Sequence, residues 1–136
     1  MDCADASPEA GQTPTPIRTD DGFAGLASLS LDGLAGERIV IAGFSEDARI
    51  IYWFECDGLT DHALVHPDAL LTIISDPAVR SVAIAHNHPS GHCRPSNNDL
   101  ETTRKIARFC ACAGVRLIEH LVIGAGTSYR ILCPDA

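Results

Sequence analysis

Two histidines stand two residues apart at the end of an apolar stretch, and their spacing could serve metal binding. The segment Ser81–His86 has the length and composition of a buried strand, and His86 and His88 lie at its end. Residues two apart in a strand share one face at a spacing of about 6.5–7 Å, so two imidazoles there can converge on one ion. The pair therefore predicts part of a metal site.

A carboxylate downstream could complete the ligand set. Asp99 falls in the first turn of the next predicted helix, and the intervening Pro-Ser-Gly loop can fold that turn back over the strand end. Two nitrogens and one oxygen suit Zn²⁺ and leave a fourth position for water, as in catalytic zinc sites. Zinc lowers the pKa of such a water to about 7, which makes hydroxide available at neutral pH. We therefore expect His86, His88 and Asp99 to hold one zinc ion.

Such a site also needs a group that takes up the proton of the water and passes it to a leaving group. On sequence grounds the best-placed carboxylate is Glu55, near the end of a second predicted strand, Arg49–Cys56. We expect that strand to lie beside Ser81–His86, so that the base adjoins the ligands. Glu46, in the turn before the strand, is the alternative base.

Each part of this pattern has an ordinary structural explanation. Paired histidines at a strand end are more often surface or hydrogen-bonded residues, and Ser96-x-x-Asp99 is also typical of a helix cap. Together, however, the parts form H-x-H-x₇-S-x₂-D over residues 86–99, and a chance match to the whole is far rarer than a match to one part. The combined pattern favours the metal site.

The elements that would position these residues follow from the hydrophobic pattern. β-Branched and aromatic runs predict a hairpin, a proline-led pattern predicts a short helix, and a periodic stretch that ends at a glycine predicts a long one. The glycines between residues 23 and 36 weaken any helix prediction there. Strands with helices packed on them indicate a mixed α/β class. The predicted elements are strands Glu37–Phe44, Arg49–Cys56, Ser81–His86, Val115–Ile123 and Thr127–Cys133, with helices over 67–76 and 96–114.

Composition limits the classes of function. The chain has 136 residues, enough for one domain, which we place at residues 23–136 after a disordered, acidic Pro/Ser/Thr-rich tail at residues 1–22. Eighteen acidic against ten basic residues give a net charge of −8, which disfavours generic binding to duplex DNA. The start of the sequence is not typical of a secretory signal, and no apolar run is of bilayer-spanning length, so we expect a cytoplasmic protein.

Further motifs extend the pattern beyond the metal ligands. They are HNHPSG (86–91), Pro95-Ser96 with Asp99 and Thr103, GVRL (114–117) and HLVIG (120–124). Together they closely resemble the RadC family, a branch of the JAMM (MPN/JAB) metal-dependent hydrolases, over about residues 37–133. The resemblance implies a JAMM/MPN-like (cytidine-deaminase-like) three-layer α/β fold, in which a curved mixed β-sheet is flanked by helices.

The resemblance also implies roles for individual residues. Zinc would be held by His86, His88 and Asp99, and Ser96 would help to hold the oxyanion of a tetrahedral intermediate. An upstream glutamate, matched here by Glu55, would be the general acid and base. Because better-characterised JAMM relatives cleave peptide or isopeptide bonds, the implied reaction is zinc-assisted hydrolysis of an amide in a peptide or protein substrate.

The sequence departs from the family pattern in three places. Longer RadC proteins carry a helix-hairpin-helix region of the kind that contacts DNA, and this sequence has a Pro-rich segment in its place. His92-Cys93-Arg94 follows the Ser-Gly turn, where the family often has an acidic residue. His92 or Cys93 could compete for the metal or cap its open position, although a solvent-facing role is favoured because three ligands already complete the set. The usual Asp-His is here Glu119-His120, which we interpret as structural or as supporting a ligand histidine.

Two other functions remain as alternatives to a hydrolase. One is a metal-binding module without turnover, which would recognise a chain end or a partner. It differs from the hydrolase in whether Glu55 can reach a metal-bound water. The other is a DNA-repair-associated accessory protein, which would need a basic face such as Arg104, Lys105 and Arg108 could provide.

Overall fold

The computed structural model of the chain describes residues 22–57, 67–131 and 133. These residues form three helices and five strands. The predicted tail, residues 1–22, lies outside the described residues except for Gly22, where the first helix begins. The helices are α1 (Gly22–Leu31), α2 (Pro67–Ile74) and α3 (Asn97–Cys112), and the strands are β1 (Arg38–Phe44), β2 (Ile50–Asp57), β3 (Ser81–Asn87), β4 (Arg116–Gly124) and β5 (Thr127–Ile131).

The strands form one mixed sheet in the order β2-β1-β3-β4-β5. β1 pairs antiparallel with β2 and β3, β3 pairs parallel with β4, and β4 pairs antiparallel with β5. Parallel strands need a crossover connection, which α3 supplies between β3 and β4. The predicted hairpin of β1 and β2 is confirmed. The expectation that Arg49–Cys56 adjoins Ser81–His86 is wrong, because β1 lies between these strands.

Helices cover both faces of the sheet. On one face, Val40 and Ala85 belong to the same buried cluster as Phe23 of α1. On the other face, Ile39 and Ile84 are buried with residues of α2 and α3. Neighbouring residues of β1 therefore point to different helices, as the two-residue period of a strand requires. The predicted α/β class, a mixed sheet flanked by helices, is confirmed, and no helix in the described ranges is long and apolar enough to cross a bilayer.

α3 carries polar residues within the same stripe that packs on the sheet. Ser96 caps its first turn, and Gly114 follows its last turn with φ 75°, a conformation that favours glycine. Its buried stripe begins with two polar residues and continues with apolar ones, so the first two turns bring polar side chains to the end of β3. The buried residues are Asp99, Thr103, Ile106, Ala107 and Cys110.

Candidate metal centre

The end of β3 holds side by side the two histidines of the segment His86-Asn87-His88, here called the HNH motif. His86 is fully buried and pairs in register with Ile39 of β1 and Val122 of β4. The main-chain N–H of His88 donates to the Ile123 carbonyl at 2.9 Å, which keeps His88 against β4 just beyond the strand. As a result, the two Nε2 atoms lie 3.2 Å apart.

The cap of α3 supplies the third group. The Ser96 Oγ accepts from the Asp99 N–H at 3.0 Å, and the Ser96 N–H donates to Asp99 Oδ2 at 2.8 Å. The same carboxylate lies 3.4 Å from His86 Nε2 through Oδ1 and 3.3 Å from His88 Nε2 through Oδ2. The structure therefore brings His86, His88 and Asp99 together, and the helix-cap interpretation of Ser96-x-x-Asp99 holds at the same time.

The Asp99 carboxyl is buried, yet its surroundings favour the charged form. Burial opposes ionisation, but the adjacent His86 ring and the hydrogen bond from the Ser96 N–H outweigh it and hold the pKa of Asp99 well below its ordinary value. A carboxylate ligand is thus present at neutral pH.

The donor atoms of the metal-site cluster, which consists of His86, His88 and Asp99, fit a divalent metal ion. His88 Nδ1 lies 2.9 Å from the main-chain carbonyl of His92, which can only accept, so Nδ1 carries the proton and Nε2 presents a lone pair to the cluster. The Asp99 carboxylate also offers only electron pairs. Around a tetrahedral zinc ion with bonds of about 2.0–2.1 Å, neighbouring ligand atoms lie roughly 3.3–3.4 Å apart. The two Nε2 atoms, 3.2 Å apart, are close to that spacing, and each lies at a similar distance from one Asp99 oxygen: His86 at 3.4 Å from Oδ1 and His88 at 3.3 Å from Oδ2.

The loop after β3 is held in place by a close approach to β4. Gly91 has φ 92°, and its carbonyl accepts from the Ala125 N–H at 3.3 Å. A Cβ at Gly124 would lie 2.4 Å from that same carbonyl oxygen, so the contact requires glycine at position 124. This contact fixes the loop that brings the His92 carbonyl to His88.

Glu37 joins the cluster, although the sequence analysis did not identify it as a site residue. Its ligand atom and those of His86 and His88 all lie within 4.8 Å of one another, a group that could hold a metal ion. Glu37 directly precedes β1, and the register Ile39↔His86 places the start of β1 beside the end of β3. Glu37 could have been identified from its position at the start of β1, the strand that pairs antiparallel with the histidine-bearing β3.

Asn87, between the two histidines, fixes the backbone on both sides of Glu37. Its Oδ1 accepts from the Arg38 N–H at 2.6 Å, and its Nδ2 donates to the Gly36 carbonyl at 2.9 Å. The side chain is 3% exposed, so these bonds are shielded from water. The middle residue of the HNH motif thus ties the glutamate segment to the histidine strand.

The structure does not bring Glu55 to this cluster. Its Oε2 accepts from the Ser30 hydroxyl of α1 at 3.1 Å and from the Trp53 indole N–H at 2.9 Å. Glu55 lies opposite Val40, which faces α1, whereas His86 lies opposite Ile39 on the other face. The pleat therefore directs Glu55 to the wrong side of the sheet for a base that serves the histidines. The alternative, Glu46, lies in the exposed turn at the far end of β1.

The remaining predicted residues lie around the cluster. Ser96 is exposed and serves as the cap described above. The side chain of His92 is exposed, and the residue contributes its main-chain carbonyl to His88. Cys93 accepts from the Thr127 hydroxyl at 3.4 Å. These contacts fit the solvent-facing interpretation of the loop.

The Glu119-His120 pair divides into two roles. Glu119 forms an ion pair with Arg130 of β5, which fits a structural role. His120 Nε2 lies 3.0 Å from His86 Nδ1, as expected of a residue that supports a ligand histidine. Burial, together with the nearby His86, lowers the pKa of His120 to about 3, so this ring is neutral at neutral pH.

A cavity of about 220 Å³ opens beside the cluster, between the end of α1 and the loop after β3. None of the described residues that line it carries a carboxylate or an ammonium group. Its walls are mostly aliphatic side chains and glycines, with the two HNH residues Asn87 and His88 at one side. The lining includes Leu34, Ala35, Asn87, His88, Gly91 and Gly124.

Comparison with known proteins identifies the family. The RadC-like JAB domain model matches residues 17–132, so the chain belongs to that family. The chain is 35% identical over 69 residues to a UPF0758 protein of Actinobacillus pleuropneumoniae, 33% over 85 residues to one of Ralstonia nicotianae, and 38% over 80 residues to one of Symbiobacterium thermophilum. These matches cover 51%, 62% and 56% of the chain.

The chain spans only about a third of the length of these relatives, between 31% and 38%. The resemblance to RadC noted in the sequence is therefore confirmed at the level of the domain. With the histidine and glutamate group at the end of β3, the fold defines a JAMM-type metal-binding domain.

Proposed function

We propose that this domain is a zinc-dependent hydrolase of the JAMM type that cleaves a peptide or isopeptide bond. His86, His88 and Asp99 would bind the zinc ion, and Glu37, in place of Glu55, would be the general acid and base. The observation that carries the proposal is the convergence of two histidine nitrogens and a carboxylate at 3.2–3.4 Å, with Glu37 adjoining the histidines.

Zinc, when bound, acts as a Lewis acid and makes hydroxide available from water at neutral pH. The glutamate then performs the proton transfers. Glu37 accepts the proton of the attacking water and donates it to the leaving nitrogen, as general acid-base catalysis of amide hydrolysis requires. Asn87 supports this role, since it fixes the backbone on both sides of Glu37.

Ser96 and the neighbouring cavity are assigned to the substrate. The Ser96 Oγ uses a lone pair for the Asp99 N–H, which leaves its own proton for a developing substrate oxyanion. The cavity beside His88 could receive the residue next to the scissile bond. Because none of its described lining residues offers a carboxylate or ammonium group to pair with a charge, an uncharged residue fits this cavity better than a charged one.

The test compares two near-isosteric glutamate substitutions. Glu37→Gln should retain zinc and the fold yet lose activity by about 10²–10⁴-fold, because an amide cannot transfer the proton. Glu55→Gln is the matched control and should retain most of the activity, since Glu55 faces α1. Hydrolysis of fluorogenic peptide and isopeptide compounds measures both, with single-stranded and duplex DNA as further ligands in a binding assay.

Three outcomes would count against the proposal. If Glu55→Gln abolishes hydrolysis while Glu37→Gln does not, the assignment of the base is wrong. If the wild type binds zinc and captures a partner but hydrolyses none of the compounds, the domain is a binding module. Salt-sensitive binding of duplex DNA would instead favour the DNA-repair accessory, despite the net charge of −8.

A further inference from the structure

Behind the candidate ligands runs a second, buried set of hydrogen bonds. His86 Nδ1 lies 3.0 Å from His120 Nε2, and His120 Nδ1 lies 2.6 Å from Thr103 Oγ1. The Thr103 hydroxyl in turn lies 2.8 Å from the main-chain carbonyl of Asp99. His86, His120 and Thr103 are each no more than 1% exposed, so the chain of bonds excludes water. It links three elements: β3, β4 and α3.

The direction of each hydrogen bond follows from the main-chain carbonyl oxygen of Asp99, the one atom of the set that can only accept. The Asp99 carbonyl has no proton, so the Thr103 hydroxyl donates its single proton to it. Toward His120, Thr103 can then only accept, and His120 Nδ1 must carry a proton. An imidazolium here would be a buried charge whose ring nitrogens face a hydroxyl and another imidazole, so His120 is the neutral ring and its Nε2 accepts. The proton between the two rings therefore belongs to His86 Nδ1.

We infer that Thr103 and His120 are positioning residues that fix the ring proton of His86 on Nδ1 and so leave Nε2 free to bind metal. The inference rests on the proposed metal centre. His88 obtains the same result from a simple carbonyl acceptor, the main-chain oxygen of His92. His86 is inside the fold, where its Nδ1 faces a side chain that could either donate or accept. The hydroxyl of Thr103 settles that choice.

The arrangement also couples two ligands on different elements. Thr103 stands one turn after Asp99 on α3, and its hydroxyl reaches back to the Asp99 carbonyl. The same Thr103 hydroxyl oxygen accepts from His120, and His120 in turn orients His86 on β3. One side chain therefore influences a carboxylate ligand through the helix and an imidazole ligand through the sheet. A structural role in packing alone would not depend on the hydroxyl proton.

Zinc affinity is the first measurement. Thr103→Val keeps the shape of the side chain but removes the hydroxyl, and zinc should bind about 10–100-fold more weakly, the usual loss when a partner of a ligand histidine is removed. Thr103→Ser restores the hydroxyl and should recover most of the affinity. Thr102→Val, at the neighbouring and less buried position of α3, is the matched control. Thermal unfolding of each metal-free variant checks that the fold is retained.

The protonated nitrogen of His86 is the second measurement, and it needs neither metal nor substrate. Long-range ¹H–¹⁵N correlation spectra of the metal-free full chain should show the proton on Nδ1 in the wild type and in Thr103→Ser. In Thr103→Val the population with the proton on Nε2 should increase.

The results separate this inference from the proposed function. A wild-type His86 that carries its proton on Nε2 would overturn the inference, as would a folded Thr103→Val that matches the wild type in zinc affinity and His86 spectrum. Absence of hydrolysis, with weakened zinc binding in Thr103→Val, would contradict the hydrolase and leave the inference supported.

Discussion

His88 is the most accessible of the three residues proposed to bind zinc. Its side chain is 20% exposed, whereas those of His86 and Asp99 are at most 5% exposed. A substitution at His88 should therefore disturb packing least while it removes a ligand. Because the loop carbonyl that orients its ring belongs to the main chain of His92, the His92 side chain can be changed without loss of that contact.

We expect His88→Ala to lower the zinc content from about one ion per chain to near zero under metal-replete conditions. Two ligands are too few for the three that a catalytic zinc site requires. His92→Ala should retain its zinc, since its imidazole is exposed. Metal analysis of the purified proteins measures both. Equal zinc content in the wild type and His88→Ala would contradict the ligand assignment, and loss of zinc in His92→Ala would add His92 to the ligand set.

Asn87 offers a residue-scale test of how Glu37 is held. Asn87→Ala removes both bonds to the glutamate segment, so the Arg38 amide should exchange its hydrogen faster and hydrolysis should decrease. Zinc should still bind, because Asn87 contributes no ligand atom. Hydrogen exchange and zinc titration measure these effects, with Asn97→Ala, an exposed asparagine, as the control. Unchanged exchange at Arg38 would show that β1 pairing alone fixes the glutamate.

The sequence predicts the three ligands of this site but not the base, and the reason is geometric. His86 and His88 share a strand end, and Asp99 reaches them through a single loop, so local spacing is sufficient to predict their proximity. Predicting the base, by contrast, requires the order of the strands in the sheet. Placing Arg49–Cys56 next to β3 favoured Glu55, whereas β1 lies between the two strands and brings Glu37 to the histidines.

At the scale of elements, the capping box of α3 serves both the helix and the cluster. The cap bonds fix the carboxylate of Asp99 as well as the first helical turn. We expect Ser96→Ala to lower the free energy of unfolding by about 0.5–2 kcal/mol, the usual effect of losing an N-cap side chain. It should also weaken zinc binding, because the Asp99 N–H loses the Ser96 Oγ and the first turn that carries the ligand is less firmly held, although the Ser96 main-chain N–H can still donate to the carboxylate.

Urea unfolding of the metal-free protein and a zinc titration measure these two effects of Ser96→Ala. Ser128→Ala, an exposed serine on β5, is the control and should change neither. Loss of stability without loss of zinc affinity would mean that the cap supports the helix but does not orient the ligand.

α1 shows how packing can override local preference. Glycines in this region argue against a helix, yet Gly22–Leu31 is helical in the structure. Phe23, Ala27 and Leu31 are spaced four residues apart and are buried against the sheet. Their burial offsets the weak propensity of the glycines, an effect that a single sequence window does not reveal. The β1–β2 hairpin, by contrast, was predicted because its signal is local.

At the scale of the whole molecule, the buried polar network makes stability depend on pH. His120 has a pKa of about 3 in the folded chain because of its burial, against about 6.5 for an exposed histidine. Between these values the unfolded chain binds one more proton at this residue than the folded chain. The free energy of unfolding therefore decreases as the pH falls below about 6.5, and the contribution is fully present only above that value.

His120→Gln removes the residue that takes up this extra proton on unfolding. The glutamine amide can still form hydrogen bonds in the buried position. Between pH 6 and 4, the free energy of unfolding of the metal-free wild type should fall more steeply than that of His120→Gln, by about 1.4 kcal/mol per pH unit, the value for one proton. Urea unfolding at a series of pH values measures the difference, and His92→Gln, at an exposed histidine, should follow the wild-type slope. Parallel curves for wild type and His120→Gln would mean that His120 titrates in the folded chain much as it does in the unfolded one. The neutral ring on which the orientation of His86 depends would then not hold at mildly acidic pH.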